Sequence, residues 1–190
     1  SHVSPTYIGL KSHYMNIEPG NAVELYGIPG GYVGIAPVDE GLANVAALIS
    51  SDQMKDGDTV HEKLLAAARA NQRLQARLEA AVPVPESQAS VHPVVLDRRP
   101  RLWEEGGEYP LVGDAGLMIP PLCGDGMSMA LYTALRCARE TDRYLKGEIS
   151  LGQWRHAYEW TVTQAVSGPM WWGRLAHRWI VTPPLSRGLA

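Results

Sequence analysis

The glycine-rich stretch LVGDAGLMIPPLCGDGMSMAL, residues 111–131, constrains this chain more than any other part of its sequence. It begins as an apolar segment, passes through two Gly-Asp turns separated by a double proline, and continues as a helical pattern. Glycine lets a backbone adopt positive φ and lets another group approach the main chain closely. The spacing of Gly113, Gly116, Gly124 and Gly126 therefore predicts that something comes close to this backbone.

A binding site is predicted where this loop meets the helix. The unpaired amides of a helix N-terminus attract negative charge or carbonyl oxygens, and here the donors would be the amides from Gly124 to Met127. The carboxylate of Asp114, at the end of the apolar segment, can accept hydrogen bonds from ligand hydroxyls. Flavin has a polyol chain and an electron-poor ring and fits this combination, although the residues alone do not single it out. The alternative is an ordinary connection in which Asp125 caps the helix.

The first half of the chain predicts strands followed by one helix. Apolar and β-branched runs that are separated by glycine-containing turns are typical of an antiparallel meander. The predicted strands cover residues 3–15, 23–28, 31–38 and 42–50. From Thr59 the apolar residues recur at three- and four-residue steps, which predicts one amphipathic helix of about twenty residues that ends before Pro83.

The second half predicts a short strand, residues 109–115, and then helices. A helix from Asp125 carries one apolar stripe, made of Met127, Ala130, Leu131, Ala134, Leu135, Ala138 and Leu145. Ser150 and Gln153 form a capping box for the next helix. Its apolar positions are Trp154, Tyr158, Val162 and Val166. We expect Gly168-Pro169 to end this helix and a last short helix to follow over residues 170–181.

Composition argues against several classes of function. The net charge of −3 supplies no general attraction for nucleic acid or anionic lipid. Cys123 and Cys137 form neither a disulfide framework nor a zinc-type spacing, and the six histidines show no ligand spacing, so no metal site is predicted. This cysteine usage predicts a reducing, cytoplasmic setting. No apolar run approaches the roughly twenty residues that a membrane-spanning helix needs.

The tryptophans near the C-terminus are predicted to pack between helices. Trp171, Trp172 and Trp179 lie beside Arg174 and Arg178, a combination that can also anchor a protein to a membrane surface. The segment is short and its basic residues are few, which favours helix packing over membrane binding.

The glycine-rich stretch resembles the second flavin motif of FAD-dependent oxidoreductases in the superfamily of p-hydroxybenzoate hydroxylase, geranylgeranyl reductases and flavin-dependent halogenases. In that superfamily the motif is Gly-Asp-Ala, then a proline, then Gly-x-Gly at a helix start; this chain has Gly116 where a second alanine is commoner. The resemblance implies that Asp114 contacts the ribityl hydroxyls of FAD and that Pro120 lies near the flavin ring. It places Gly124, Asp125, Gly126 and Met127 at the N1–C2 oxygen region of that ring. The helix N-terminus would stabilise charge on N1 of the reduced flavin.

The resemblance covers only part of such an enzyme. No Gly-x-Gly-x-x-Gly occurs in the chain, so the N-terminal dinucleotide-binding βαβ unit that holds the ADP half of FAD is missing. The chain also starts at Ser1-His2 without an initiator methionine, which predicts a fragment. The implied fold class is α+β. Residues 1–104 would form an antiparallel or mixed substrate-domain sheet with one long helix, and residues 105–190 the flavin-motif strand, its loop and the C-terminal helices.

The implied activity is that of an FAD-dependent oxidoreductase or monooxygenase on an apolar or aromatic small molecule. Hydroxylation, halogenation and double-bond reduction all remain open, and no catalytic acid or base is identified. We expect the chain alone to be inactive and to bind FAD weakly or not at all without its N-terminal portion. Exposed apolar surface of such a truncated core would also permit self-association. The alternative is a non-enzymatic binding or assembly module that keeps the fold of a flavoprotein's substrate half.

Overall fold

The chain forms two compact units. Unit 1 contains the residues up to Val95 together with those from Arg178, and unit 2 contains Leu96–His177. The computed structural model describes residues 6–18, 20–54, 59–96, 99–107 and 109–181.

Unit 1 is built on an antiparallel sheet. Among the described residues its strands are β1 (Thr6–Met15), β2 (Glu24–Ile28), β3 (Gly31–Pro37), β4 (Ala43–Ser50), β5 (Val82–Pro83) and β6 (Ala89–Val95). The strand order is β2-β3-β4-β1-β5, and β6 also pairs with β1. The four strands predicted in the first fifty residues are confirmed within one residue at each described end, and residues 3–5 of the first prediction lie outside the described residues. Short runs bounded by turn residues are a local signal.

Two helices cover one face of this sheet, where one was predicted. They are α1 (Val60–Ala68) and α2 (Gln72–Leu78). The single long helix is wrong because Asn71 has an extended backbone and its side chain accepts hydrogen bonds from two amides of α2, which starts a new helix. The buried leucines and alanines of both helices pack against alternate residues of the strands. The core of unit 1 includes Leu10, Tyr14, Val33, Val45, Leu64, Ala68, Leu74 and Leu78.

Unit 2 consists of a long loop region and two helices, α3 (Gly126–Leu145) and α4 (Leu151–Val181, with the end of α4 beyond the unit). The capping box that starts α4 is confirmed, because the Ser150 amide donates to Gln153 Oε1 at 2.9 Å and the Gln153 amide donates to Ser150 Oγ at 3.3 Å. The core of this unit contains Leu102, Trp103, Leu117, Ile119, Cys137, Trp154, Tyr158, Val162, Val166 and Met170.

The predicted break in α4 at Gly168-Pro169 is wrong, since the helix continues through the proline. Proline removes one amide from the hydrogen-bond ladder of a helix. Val162, Val166 and Met170 are all buried and follow each other at four-residue steps on both sides of Pro169. Burial of this continuous apolar face outweighs the lost hydrogen bond.

The predicted strand over residues 109–115 is also wrong. The segment forms only an isolated bridge, between Trp103 and Pro110, and Gly113–Ala115 is a 3₁₀ turn. Pro110 has no amide to donate to a ladder, and Gly113 has a φ of 57°, in the left-handed region. The segment is therefore a loop.

Trp171 and Trp172 do not pack between helices. They are 58% and 65% exposed and contact each other edge to face, so the prediction is wrong for both, and the side chain of Trp179 lies outside the described part of the chain. None of the described helices is both long and apolar enough to cross a membrane.

Candidate functional site

The glycine-rich loop reaches α3 through two 3₁₀ turns, Gly113–Ala115 and Pro121–Cys123. Gly124 follows the second turn with a left-handed backbone, at φ 69°, and the helix begins two residues later. A residue with a side chain is strained in that conformation, whereas glycine is not. Gly124 therefore turns the chain between the 3₁₀ turn and α3.

The N-terminus of α3 presents unpaired amides, although not the full set that the sequence predicts. The Gly124 amide donates to the carbonyl of Pro121 at 3.0 Å, so it is not available to a ligand. The first amide bonded within the helix is that of Met129, which donates to the Asp125 carbonyl at 2.8 Å. In the described part of the chain the preceding amides, of Gly126, Met127 and Ser128, have no acceptor, as helix geometry requires. Ser128 thus replaces Gly124 in the donor set.

The space in front of these amides is open. A Cβ atom added to Gly124 or Gly126 would meet nothing within 4 Å, and Met127 is 83% exposed. The exposed side chain of Asp125 makes no capping hydrogen bond, so the alternative of an ordinary capped connection loses its main support. Open donors at the positive end of a twenty-residue helix suit an electron-rich or anionic group.

The two remaining candidate residues lie in the turns that precede the helix. Asp114 is the exposed central residue of the first 3₁₀ turn, where its carboxylate is free to accept hydrogen bonds. Pro120 is buried and precedes the second turn. The structure thus gathers the residues from Gly124 to Met127 at one helix end and places Asp114 on a separate turn.

Thr133, which the sequence analysis missed, attaches that separate turn to α3. The amide of Gly113 donates to Thr133 Oγ1 at 2.9 Å, and the Thr133 hydroxyl donates to the Ala130 carbonyl at 3.0 Å. Gly113 also approaches the helix so closely that an added Cβ would lie 3.2 Å from the Ala130 Cβ. A threonine inside a helix carries no sequence signal for such a contact, because its partner lies 20 residues away along the chain.

Two further residues hold the loop from its other side. The hydroxyl of Tyr158, which is fully buried in α4, donates to the Leu111 carbonyl at 2.8 Å. Burial raises the pKa of Tyr158 well above its usual value, so the hydroxyl stays protonated and remains a donor. Gly116 lies against the same carbonyl, since an added Cβ would be 2.9 Å from the Leu111 oxygen. The sequence predicted Tyr158 as a core residue but gave no sign of its hydrogen bond.

No protein-family model and no curated protein matches this sequence. Solved structures with a similar fold include FAD-dependent enzymes. The myxobacterial chondrochloren halogenase CndH, described as an FAD-dependent halogenase, has a TM-score of 0.75 and 19% identity, over 95% of this chain and 44% of its own. Pseudomonas aeruginosa PqsL, a probable FAD-dependent monooxygenase solved with 2-aminobenzoylacetate, has a TM-score of 0.65 and 18% identity, over 99% and 52%.

A third similar structure is Klebsiella pneumoniae HpxO, solved with FAD and uric acid. Its TM-score is 0.68 at 18% identity, over 98% of this chain and 49% of its own. The chain therefore spans about half the length of the structures that it matches, consistent with the C-terminal part that the sequence predicts. Its α+β fold, with an antiparallel sheet in unit 1, is similar to about half of these FAD-dependent structures.

Proposed function

We propose that this chain is the C-terminal part of an FAD-dependent oxidoreductase that acts on an apolar or aromatic small molecule. The observation that carries the proposal is the row of open amides from Gly126 to Ser128, which follows the glycine-rich turns in a fold shared with FAD-dependent enzymes. The reaction is hydroxylation, halogenation or double-bond reduction. The protein would work in the cytoplasm, which its isolated cysteines support.

The residues present fit the flavin end of FAD and not its ADP end. The amides of Gly126, Met127 and Ser128 would donate to the oxygen at the N1–C2 edge of the ring, and Asp114 would accept from the ribityl hydroxyls. Pro120, which is buried beside the second turn, would limit how closely the flavin ring approaches the loop. FAD supplies the electron transfer when it is bound. The chain offers no Gly-x-Gly-x-x-Gly for the pyrophosphate, which supports a second portion that holds it.

The ligands of two similar structures support the proposed substrate class. PqsL was solved with 2-aminobenzoylacetate and HpxO with uric acid. Both are small molecules that contain a planar ring. A pocket for such a ring needs apolar surface more than charged groups, which agrees with the absence of an identified acid or base.

The test is whether flavin stays bound after dialysis. We would compare the 190-residue chain with the polypeptide extended upstream of Ser1 to the initiator methionine of its reading frame, each incubated with FAD. We expect the visible absorbance of flavin in the extended polypeptide and little or none in the 190-residue chain. Flavin retained in stoichiometric amount by the shorter chain would contradict the need for a second portion.

Variants of the extended polypeptide test the assigned residues. Asp114→Ala should weaken FAD binding about tenfold or more, because a hydrogen bond to a charged group is worth about 1.5–3 kcal/mol. Glu159→Ala is the matched control, since Glu159 is an exposed acid of α4 outside the loop and its loss should leave the affinity unchanged. If the extended polypeptide binds no flavin, the enzyme assignment is wrong, and the interpretation as a non-enzymatic binding or assembly module replaces it.

A further inference from the structure

A cavity of about 410 Å³ lies between α1 and α2 in unit 1. Its apolar lining includes Leu65, Leu78 and the three alanines Ala68, Ala76 and Ala81. Cavities that bind small molecules have volumes of about 300–1,000 Å³ and a mostly apolar lining with a few polar groups. We call this space the α1–α2 cavity, and its size suits one small ligand with an apolar body.

The polar lining of the α1–α2 cavity contains one cation and one acid, Arg69 and Glu79, together with the amide side chains of Gln72 and Gln75. Arg69 and Glu79 are exposed, and in the part of the chain that the structure describes neither forms an ion pair. An arginine without a carboxylate partner can donate two parallel hydrogen bonds to the carboxylate of a ligand. Glu79 would repel a second negative charge, so the charges of the lining favour a ligand with a single carboxylate.

His61, which also lines the α1–α2 cavity, is held in place from the core of unit 1. Its Nδ1 lies 2.9 Å from the hydroxyl of Tyr14, whose side chain is fully buried. Burial raises the pKa of Tyr14 to about 12, so the hydroxyl stays protonated and can donate to Nδ1. The neutral imidazole then carries its hydrogen on Nε2, which has no hydrogen-bond partner among the described residues. This N–H is a further donor available to a ligand.

We propose that the α1–α2 cavity is a binding site for a small molecule that has one carboxylate and an apolar body. The carboxylate binds Arg69, the apolar body lies against the leucines and alanines, and His61 and the glutamines donate to the remaining acceptor atoms. The inference goes beyond the proposed function, because none of these residues belongs to the glycine-rich loop or is assigned to the flavin. Ala68 and Leu78 also belong to the core of unit 1, so a bound ligand stabilises the packing of both helices against the sheet.

Calorimetric titration of octanoate into the extended polypeptide tests the site. We expect saturable binding, which Arg69→Gln should weaken about fivefold, the upper end of what a charge pair open to solvent contributes. Arg73→Gln is the matched control, because Arg73 is an exposed arginine of α2 outside the cavity lining, and its loss should leave the affinity unchanged. Absence of saturable binding, or equal affinities of the parent and the Arg69→Gln variant, would overturn the proposal.

Octanamide separates recognition of the carboxylate from general hydrophobic binding, since it has the same apolar chain without the charge. It should bind the parent more weakly than octanoate does, and Arg69→Gln should leave its affinity unchanged. An equal loss for octanoate and octanamide would show that Arg69 acts through packing and would overturn the assigned ligand class. Ala76→Trp replaces an exposed alanine of the lining by a large side chain and should abolish octanoate binding without unfolding the protein. Retained affinity in that variant would exclude the cavity as the site.

Hydrogen exchange measured by mass spectrometry locates the bound octanoate. Amide exchange should slow in α1 and α2 and stay unchanged in the glycine-rich loop; slowing confined to the loop would overturn the proposal. Flavin absorbance of the same samples separates this inference from the proposed function. Octanoate bound at α1 and α2 in a polypeptide without flavin would support the inference and contradict the enzyme assignment. Bound flavin without octanoate binding would overturn the inference and leave the enzyme assignment intact.

Discussion

Helices α3 and α4 belong to the same unit, and both have an apolar side, yet only one of these sides is buried. In α4 the apolar positions Trp154, Tyr158, Val162 and Val166 are between 0% and 6% exposed. In α3 Leu131 and Leu135 are more than half exposed, and a threonine and a cysteine face the core instead. The difference shows that an apolar periodicity identifies the apolar side of a helix but not whether that side is buried.

The inward side of α3 includes one polar residue, Thr133, because it carries a contact that the loop requires. Thr133 accepts the Gly113 amide, and Cys137 contributes a small side chain to the core of unit 2, where burial raises its thiol pKa. Helix α3 therefore supports the glycine-rich loop through its inward side.

Replacing an apolar residue by glutamate should change the free energy of unfolding very differently in the two helices. Val162→Glu places an unpaired carboxylate in a fully buried position and should cost about 3 kcal/mol or more of the free energy of unfolding. Leu131→Glu changes an exposed residue and should change that free energy by less than about 0.5 kcal/mol in this chain. Chemical denaturation followed by tryptophan fluorescence measures both. Equal losses would mean that Leu131 is buried in solution.

Two glycines of the loop provide the next largest contrast. Gly116→Ala would force a Cβ to within 2.9 Å of the Leu111 oxygen and should cost about 2–3 kcal/mol of unfolding free energy. Gly126 has an ordinary helical backbone, and the methyl group added by Gly126→Ala would meet nothing within 4 Å. This substitution should therefore stabilise the protein by up to about 1 kcal/mol. Denaturation of both variants tests this. If Gly116→Ala left the free energy of unfolding unchanged, the loop would not be fixed against the core as described.

Variants of Thr133 test whether its hydrogen bond anchors the glycine-rich loop to α3. Thr133→Val keeps the shape of the side chain but leaves the Gly113 amide without an acceptor, so it should cost about 1–2 kcal/mol. Thr133→Ser retains the hydroxyl and should keep most of the stability. Hydrogen exchange at the Gly113 amide should accelerate in the valine variant and not in the serine variant. Equal exchange rates of the Gly113 amide in the two variants would show that the Thr133 hydroxyl does not anchor the loop.

The smallest effect is expected at α2 in unit 1, where the apolar side is buried, as it is in α4. Arg77 Nη2 lies 2.6 Å from Glu24 Oε1, and hydrogen bonding from Arg77 lowers the Glu24 pKa. A carboxyl with a lowered pKa contributes stability above its unfolded pKa of about 4.3, and this contribution is lost as the pH falls through the lower, folded value.

Glu24→Gln should therefore cost at most about 1 kcal/mol at neutral pH, the usual range for an ion pair open to solvent. The unfolding free energies of variant and parent should converge as the pH falls below the ordinary glutamate pKa. Denaturation curves at several pH values measure the difference. A difference that persists in acid would show that the contact acts through packing and not through charge.

The regular elements of this protein were largely predictable from the sequence. β1 to β4, the start of α3 and the capping box of α4 follow from apolar periodicity and turn residues that lie within a few positions of each other. The errors came where a distant contact or a single cap changed a local preference. Asn71 divided one expected helix into two, and burial on both sides of Pro169 joined two expected helices into one.

The candidate site was predictable in part for the same reason. Glycine positions and the helix start located the loop, and the roles assigned to Asp114, Pro120 and the residues from Gly124 to Met127 stay predictions. The support from Thr133, Tyr158 and the close packing of Gly116 could not be predicted, because each contact joins residues that are not neighbours in the sequence, or depends on the space around a backbone atom.

By itself, then, the sequence determined where strands, helices and the glycine-rich turn lie, since hydrophobic period and backbone freedom are local properties. Only the tertiary structure decided which side of each helix is covered. Burial depends on what the rest of the chain brings to a surface, so two similar apolar patterns can differ completely in exposure. In this protein the tertiary structure buried the apolar side of α4 and left Leu131 and Leu135 of α3 exposed, on the helix whose first amides are proposed to hold a flavin.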